Sequence, residues 1–201
     1  GKEEDFSKVE NINILRNEMF LDAERELLKN IDKNIFYLEA PTGSGKSNVA
    51  NNLAFKIIEN DPTKNKIFYV YPFNTLIEQN LVTLEKIYEN NKEVLEEIAV
   101  INSLFPIKEV KGSDYEKEKY FEDLEYSDYS KALLNRQFLN YPMILTTHVS
   151  LFSYMFGTMK ENIFAFHQLA NSVIVLDEIQ SYKNQIWREI IEFLNGFSKI
   201  L

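Results

Sequence analysis

The sequence has no cysteine and is poor in several other residues that mark specialised folds. Its 201 residues include six glycines, five prolines, two histidines and one tryptophan. Without cysteine, neither a disulfide framework nor a thiolate metal site can form, and a reducing cytoplasm is the predicted compartment. No run approaches the roughly 18 consecutive apolar residues of a membrane span, and the charged start Gly1-Lys2-Glu3-Glu4-Asp5 is unlike a secretory signal. These absences predict a soluble, intracellular protein.

Positive charge is also scarce, since the formal net charge is -9. Proteins that bind nucleic acid over a broad surface rely on Lys and Arg to displace counterions from the phosphates. Any nucleic-acid contact of this chain is therefore expected to be local. With 45% hydrophobic residues, the chain is long enough to bury one full core, and we interpret it as a single domain.

Apolar, β-prone runs alternate with helical patterns along most of the chain. The predicted strands are Ile35–Ala40, Lys66–Tyr71, Ile98–Asn102, Met143–Thr147 and Ser172–Leu176. The predicted helices are Phe20–Asn30, Ser47–Glu59, Thr75–Asn90, Ser150–Met155 and Gln185–Phe197. Because the predicted strands are mostly apolar along their length, burial on both faces is expected. The alternation predicts an α/β fold with a mostly parallel sheet flanked by helices and a ligand at the carboxyl ends of the strands.

Two segments depart from this alternation. Residues 1–34 form a predicted helical lead-in. Residues 108–131 combine Glu, Asp, Lys and Tyr around Gly112-Ser113 with little apolar periodicity, which indicates an insertion. The insertion is interpreted as a solvated excursion, and the alternative is an element that contacts a partner or DNA.

A glycine-rich turn between the first predicted strand and the second predicted helix indicates a nucleotide phosphate site. The turn is Pro41-Thr42-Gly43-Ser44-Gly45-Lys46-Ser47. Glycine lets backbone N–H groups converge on phosphates, Lys46 adds a positive charge, and Ser47 offers a hydroxyl to Mg²⁺. Ala40 replaces the first glycine of the strict pattern G-x-x-x-x-G-K-[ST]. The alternative is an ordinary flexible loop of similar composition.

A second feature is the apolar run Val173–Leu176, which is followed directly by Asp177 and Glu178. Alone, an Asp-Glu pair after a strand is more often a solvated turn. Together with the phosphate loop it predicts a catalytic pair, in which Asp177 holds Mg²⁺ through water and Glu178 polarises the attacking water.

These motifs together resemble superfamily 2 helicases. Motif I of that superfamily is similar to the run from Ala40 to Ser47, and motif II is similar to Asp177-Glu178-Ile179-Gln180. Motif Ia resembles Tyr71–Asn80, and Ile144–His148 falls where a later DNA-contacting motif is expected. Taken together, the sequences of these motifs most resemble those of the CRISPR-associated helicase-nuclease of type I interference systems.

This resemblance implies a RecA-like P-loop domain that uses ATP and Mg²⁺ and moves on single-stranded DNA. It implies that Arg16 contacts the adenine, and that Gln180 relays the nucleotide state to a second lobe. The residues that would contact the nucleic-acid strand are Pro72, Phe73, Asn74, Thr147 and His148. The implied partner is an RNA-guided surveillance complex.

The resemblance covers nearly the whole chain, but only the first of the two helicase lobes. The family's nuclease carries an adjacent His-Asp pair, whereas His148 and His167 are followed by Val149 and Gln168. We therefore expect a second lobe, and possibly a nuclease domain, in a longer parent chain, and weak or no hydrolysis by this piece alone. The alternatives are a generic superfamily 2 RNA helicase lobe and a non-helicase nucleotide-dependent binding module.

Overall fold

A mostly parallel β-sheet occupies the second of two compact units into which the chain divides, residues 64–187. The computed structural model describes residues 12–101, 108–109, 133–182 and 187–199. The strands are β1 (Lys66–Tyr71), β2 (Ile98–Ile101), β3 (Lys108–Glu109), β4 (Met143–Thr147) and β5 (Ser172–Leu176). Their order is β3-β2-β4-β1-β5, and only β3 is antiparallel to its neighbour. The predicted fold class is confirmed.

Helices connect the parallel strands, as crossover connections in such a sheet require. In this unit they are α3 (Asn74–Ile87), α4 (Lys92–Glu96), α5 (residues 133–137), α6 (His148–Phe156) and α7 (Lys160–His167). Gly157 separates α6 from α7. A Cβ there would lie 2.3 Å from the backbone oxygen of Ser153, so only glycine fits.

The sheet is buried on both faces at its centre. Every residue of β1, β2 and β4 is buried, whereas β5 is only partly buried. Phe68 and Val70 of β1 belong to one apolar cluster with Ile144 of β4 and Leu151 of α6. Because side chains alternate along a strand, Tyr69 and Tyr71 lie on the opposite face. The continuous apolar pattern of these strands reflects this two-sided burial.

The first unit contains the described chain up to Thr63 and the C-terminal segment from Arg188. It is formed by α1 (Ile12–Lys29), α2 (Lys46–Asn60) and most of α8 (Trp187–Phe197). The Asn52 amide of α2 donates to the Glu24 carboxylate of α1 over 2.7 Å. The Asn34 amide donates to the backbone oxygen of Ser198 over 2.9 Å, which links the segment after α1 to the residues after α8.

Some sequence-based predictions need correction. Ile35–Ala40 is not a strand in the structure, and Tyr37 within it is well exposed. Apolar composition predicted a strand there, but a strand also needs a hydrogen-bonded neighbour, and β5 pairs only with β1 among the described residues. The short helices α4, α5 and α7 were missed. Most of the 108–131 insertion, the helix start at Gln185 and the strand end at Asn102 lie outside the described residues.

Candidate functional site

The glycine-rich turn adopts a defined backbone conformation. The N–H of Ser44 donates to the oxygen of Pro41 over 3.2 Å, which closes a four-residue turn. Gly43 has a φ of 78°, close to the +80° that the third residue of a type II turn requires. Gly45 has a φ of 92° and immediately precedes α2. Both glycines therefore adopt conformations that other residues rarely tolerate.

The turn leads directly into the N-terminus of α2, which begins at Lys46. The N–H groups of Asn48 and Val49 donate to the oxygen of Gly45, which fixes the first helical turn. Lys46 and Ser47 occupy its first two positions, where a helix offers N–H groups and the positive end of its dipole. A helix N-terminus of this kind is a favourable position for an anion, and the phosphate site itself stays a prediction.

Arg16 of α1 lies against this turn. Its Nε and Nη2 atoms donate to the backbone oxygen of Gly43, at 3.2 and 2.7 Å. Its Nη1 atom donates to the Asn13 side chain over 3.2 Å. The structure thus brings Arg16 to the phosphate loop, although no local sequence pattern indicates a contact with Gly43.

The paired carboxylates lie in the other unit, at the carboxyl edge of the sheet. Val70 of β1 is in register with Leu176 of β5, and Tyr71 with Thr147 of β4. These three parallel strands therefore end side by side, followed by Pro72, Asp177 and His148. The predicted motif II and the predicted nucleic-acid contacts thus share one edge of one sheet.

Glu178 has a backbone conformation that is unusual for a residue with a side chain. Its φ is 49°, in the left-handed region. Its N–H donates to the Asp177 carboxylate over 2.9 Å, and its carbonyl accepts from the N–H of Ser181 over 2.8 Å. The Gln180 amide donates to the Glu178 carboxylate. Strained positions of this kind cluster at functional sites, which is consistent with a catalytic role for this turn.

Two buried tyrosines, which belong to none of the motifs predicted from the sequence, accompany Asp177. Tyr69 and Tyr71 stack with ring centroids 5.8 Å apart. Burial, and to a lesser degree the charge of Asp177, raises the pKa of both phenols, so both stay neutral. The available signal was the alternation Tyr-Val-Tyr in β1, which places both rings on one face.

The five predicted nucleic-acid residues differ in accessibility. Phe73 is 58% exposed, and Asn74 is half-buried at the start of α3. Pro72 is buried. Thr147 is also buried, and its hydroxyl caps α6 by accepting from the N–H of Ser150 over 3.3 Å. The half-buried His148 ring lies edge-on to Phe152.

The residues present fit a nucleotide with its metal ion. At Gly43 and Gly45, the direction in which a side chain would project is open for at least 4 Å, so the loop backbone is accessible to phosphates. In the part of the chain that the structure describes, no three His, Cys, Asp or Glu side chains are grouped as a metal site. In proteins that bind a nucleotide, Mg²⁺ is commonly held by phosphate oxygens, water and one or two carboxylates.

Among the helices that the structure describes, none has the length and apolar character of a membrane-spanning segment.

Comparison with known proteins agrees with this geometry. The family model described as DEAD/DEAH box helicase matches residues 22–200, which is most of the chain. No curated protein matches the chain. The match includes the phosphate loop, the strands of the sheet and the paired carboxylates.

Proposed function

Because this chain belongs to the DEAD/DEAH box helicase family, we propose that it is the first RecA-like lobe of an ATP-dependent DNA translocase. Members of this family are generally ATP-dependent, and their activity requires both a phosphate site and a nucleic-acid site. The observation that carries the proposal is the shared carboxyl edge of β4, β1 and β5. That edge carries the motif II carboxylates and the exposed Phe73 next to each other in strand order.

The proposed roles follow from the chemistry of each group. The backbone from Thr42 to Gly45 and the Lys46 ammonium bind the triphosphate, and Ser47 contributes a hydroxyl to Mg²⁺. Asp177 binds Mg²⁺ through water, and Glu178 polarises the water that attacks the terminal phosphate. Gln180, which already hydrogen-bonds Glu178, relays nucleotide state to a second lobe. The bound ATP supplies the free energy for movement.

For the nucleic-acid strand, Phe73 is the strongest candidate among the five predicted residues. An exposed aromatic ring offers a base a stacking surface, which is worth about 1–3 kcal/mol per base. Asn74 adds an amide at the start of α3. The Thr147 hydroxyl already caps α6. At this position we therefore propose that backbone N–H groups, and not the hydroxyl, bind a phosphate of the strand.

Oligonucleotide binding tests the proposal. Anisotropy with labelled single-stranded DNA and RNA, with and without a non-hydrolysable ATP analogue, should show DNA binding that responds to nucleotide. Phe73→Ala should weaken it about tenfold, which corresponds to one lost stacking contact. Phe164→Ala is the matched control, because that ring is similarly exposed (56%) but lies on α7. A preference for RNA would favour a generic RNA helicase, and no binding to either would favour a nucleotide-dependent binding module.

We further propose that the DNA strand is one exposed by an RNA-guided surveillance complex in type I CRISPR defence. The support is the resemblance of two motif sequences to that family, Asp177-Glu178-Ile179-Gln180 and Tyr71-Pro72-Phe73-Asn74. The parent protein should then contain a second lobe, with or without a nuclease domain, and should move along the displaced strand of a loaded complex in the presence of ATP. If the two-lobed parent translocates equally well on free single-stranded DNA without the complex, this assignment of the partner is wrong.

A further inference from the structure

We infer that Arg16 is a positioning residue that holds the phosphate loop in its phosphate-binding shape and does not recognise the base. This inference rests on the nucleotide site proposed above and assigns one residue of it a new role. Two of the three guanidinium nitrogens converge on a single acceptor, the carbonyl oxygen of Gly43. The third donates to Asn13 on the same helix. All three guanidinium nitrogens thus donate hydrogen bonds to acceptors within the protein.

The contact fixes one peptide plane from both ends. In a trans peptide the carbonyl and the N–H point in opposite directions. The Gly43 carbonyl faces Arg16, and the N–H of the same peptide, from Ser44, donates to the oxygen of Pro41. The orientation of this plane sets the direction of the following peptides, up to Lys46. Their N–H groups are the ones expected to contact phosphate.

Such a restraint matters because the two glycines give the loop backbone a large conformational freedom. Gly43 and Gly45 populate many backbone conformations, so ordering them on binding costs more entropy than ordering other residues. Hydrogen bonds that form before the ligand arrives reduce this cost and improve affinity without contacting the ligand. A residue that acts in this way affects every ligand with the same phosphates equally, whatever its base.

The two roles for Arg16 give different results with different ligands. We expect Arg16→Met to weaken binding of Mg·ATP, Mg·GTP and Mg·tripolyphosphate by the same factor, about three- to tenfold, which corresponds to a net hydrogen bond. Arg16→Lys keeps one donor and the charge, and should recover part of the loss. Thermal unfolding of the unliganded variants should match that of the wild type, since the guanidinium is exposed.

The matched control is Arg25→Met, because Arg25 is an exposed arginine on the same helix that pairs with Asp22. It should leave all three affinities unchanged. A loss with Mg·ATP alone would show that Arg16 contacts adenine, and an unchanged affinity for all three ligands would show that the Gly43 contact is irrelevant; either result overturns the inference. Wild-type protein that binds none of the three ligands would instead refute the proposed nucleotide site itself.

Discussion

The ammonium group of Lys66 donates a hydrogen bond to the backbone oxygen of Leu139, 2.6 Å away, inside the second unit. Lys66 is 8% exposed at the start of β1, and it also donates to the Gln168 side chain. Leu139 has a φ of 49° and lies in the turn between α5 and β4, outside the regular helix and strand hydrogen bonding. The buried Lys66 therefore satisfies one buried and one half-buried acceptor at the end of the sheet opposite to Asp177.

Replacing this lysine should destabilise the fold. Lys66→Met leaves both acceptors without this donor, so we expect a loss of about 1–3 kcal/mol in the free energy of unfolding at pH 7. Denaturant titration measures the loss. Lys29→Met is the control, because Lys29 forms an exposed pair with Glu26 and should change stability by less than about 0.5 kcal/mol. Equal effects of the two substitutions would contradict the structural role of Lys66.

The same lysine predicts a pH dependence. Burial lowers the pKa of Lys66 below its ordinary value, so the folded state binds this proton less tightly than the unfolded state does. Stability rises with pH wherever the unfolded state binds more protons. The wild type should therefore gain stability relative to Lys66→Met as the pH rises towards about 10, the ordinary range for lysine. Unfolding of both proteins at pH 7 and pH 10 tests this, and a difference that is constant or shrinks with pH would refute it.

Lys46→Ala should weaken Mg·ATP binding at least about tenfold, because a charge-assisted hydrogen bond to phosphate is worth about 1.5–3 kcal/mol. Isothermal calorimetry on the 201-residue chain measures the change. Lys29→Ala, a lysine of the same unit on α1, serves as the control and should bind like the wild type. Equal affinities of Lys46→Ala and wild type would remove the phosphate loop from the proposed site.

Glu178→Gln should separate binding from chemistry. The amide keeps the size of the side chain and its capacity to accept from Gln180, but it no longer accepts a proton from water. Nucleotide affinity should stay within about twofold, while steady-state ATP turnover, measured in the two-lobed protein proposed above, falls about 10²–10⁴-fold. Glu89→Gln, an exposed change after α3, is the control. Unaltered ATPase activity in Glu178→Gln would show that another residue polarises the attacking water.

Gly45→Ala should reduce both stability and nucleotide affinity, although there is space for its methyl group. A φ of 92° disfavours a residue with a Cβ by about 1–2 kcal/mol. Gly196→Ala in α8 is the matched control, because its Cβ direction is equally open but its backbone is helical. That substitution should stabilise by up to about 1 kcal/mol. Similar effects at both positions would show that the φ of Gly45 is not required.

Gly157→Ala should also destabilise the fold, for a steric reason. The new Cβ would lie 2.3 Å from the Ser153 backbone oxygen and 1.8 Å from the Asn162 side-chain nitrogen. The asparagine can rotate away, but the helical carbonyl cannot, so we expect a loss of about 1–3 kcal/mol. Comparison with Gly196→Ala in the same denaturant series provides the check, and a neutral Gly157→Ala would mean that α6 ends differently.

The sequence by itself determined the strands β1, β2, β4 and β5 and the glycine-rich turn before α2. These features follow from local rules: continuous apolar runs mark strands buried on two faces, and glycine marks the positions where φ is positive. The paired carboxylates after β5 were predicted in the same way, since a parallel sheet presents its ligand site at the carboxyl ends of its strands.

Only the tertiary structure decided which distant residues meet. Arg16 and Gly43 are 27 residues apart in sequence, and Lys66 and Leu139 are 73 residues apart. It also decided that Ile35–Ala40 forms no strand, although five of its six residues are apolar, as in β1. Hydrogen bonding across a sheet, and the burial of a polar group beside its partner, depend on which segments the fold brings together. No local periodicity encodes that information, because periodicity records which face of an element is buried and not what lies against it.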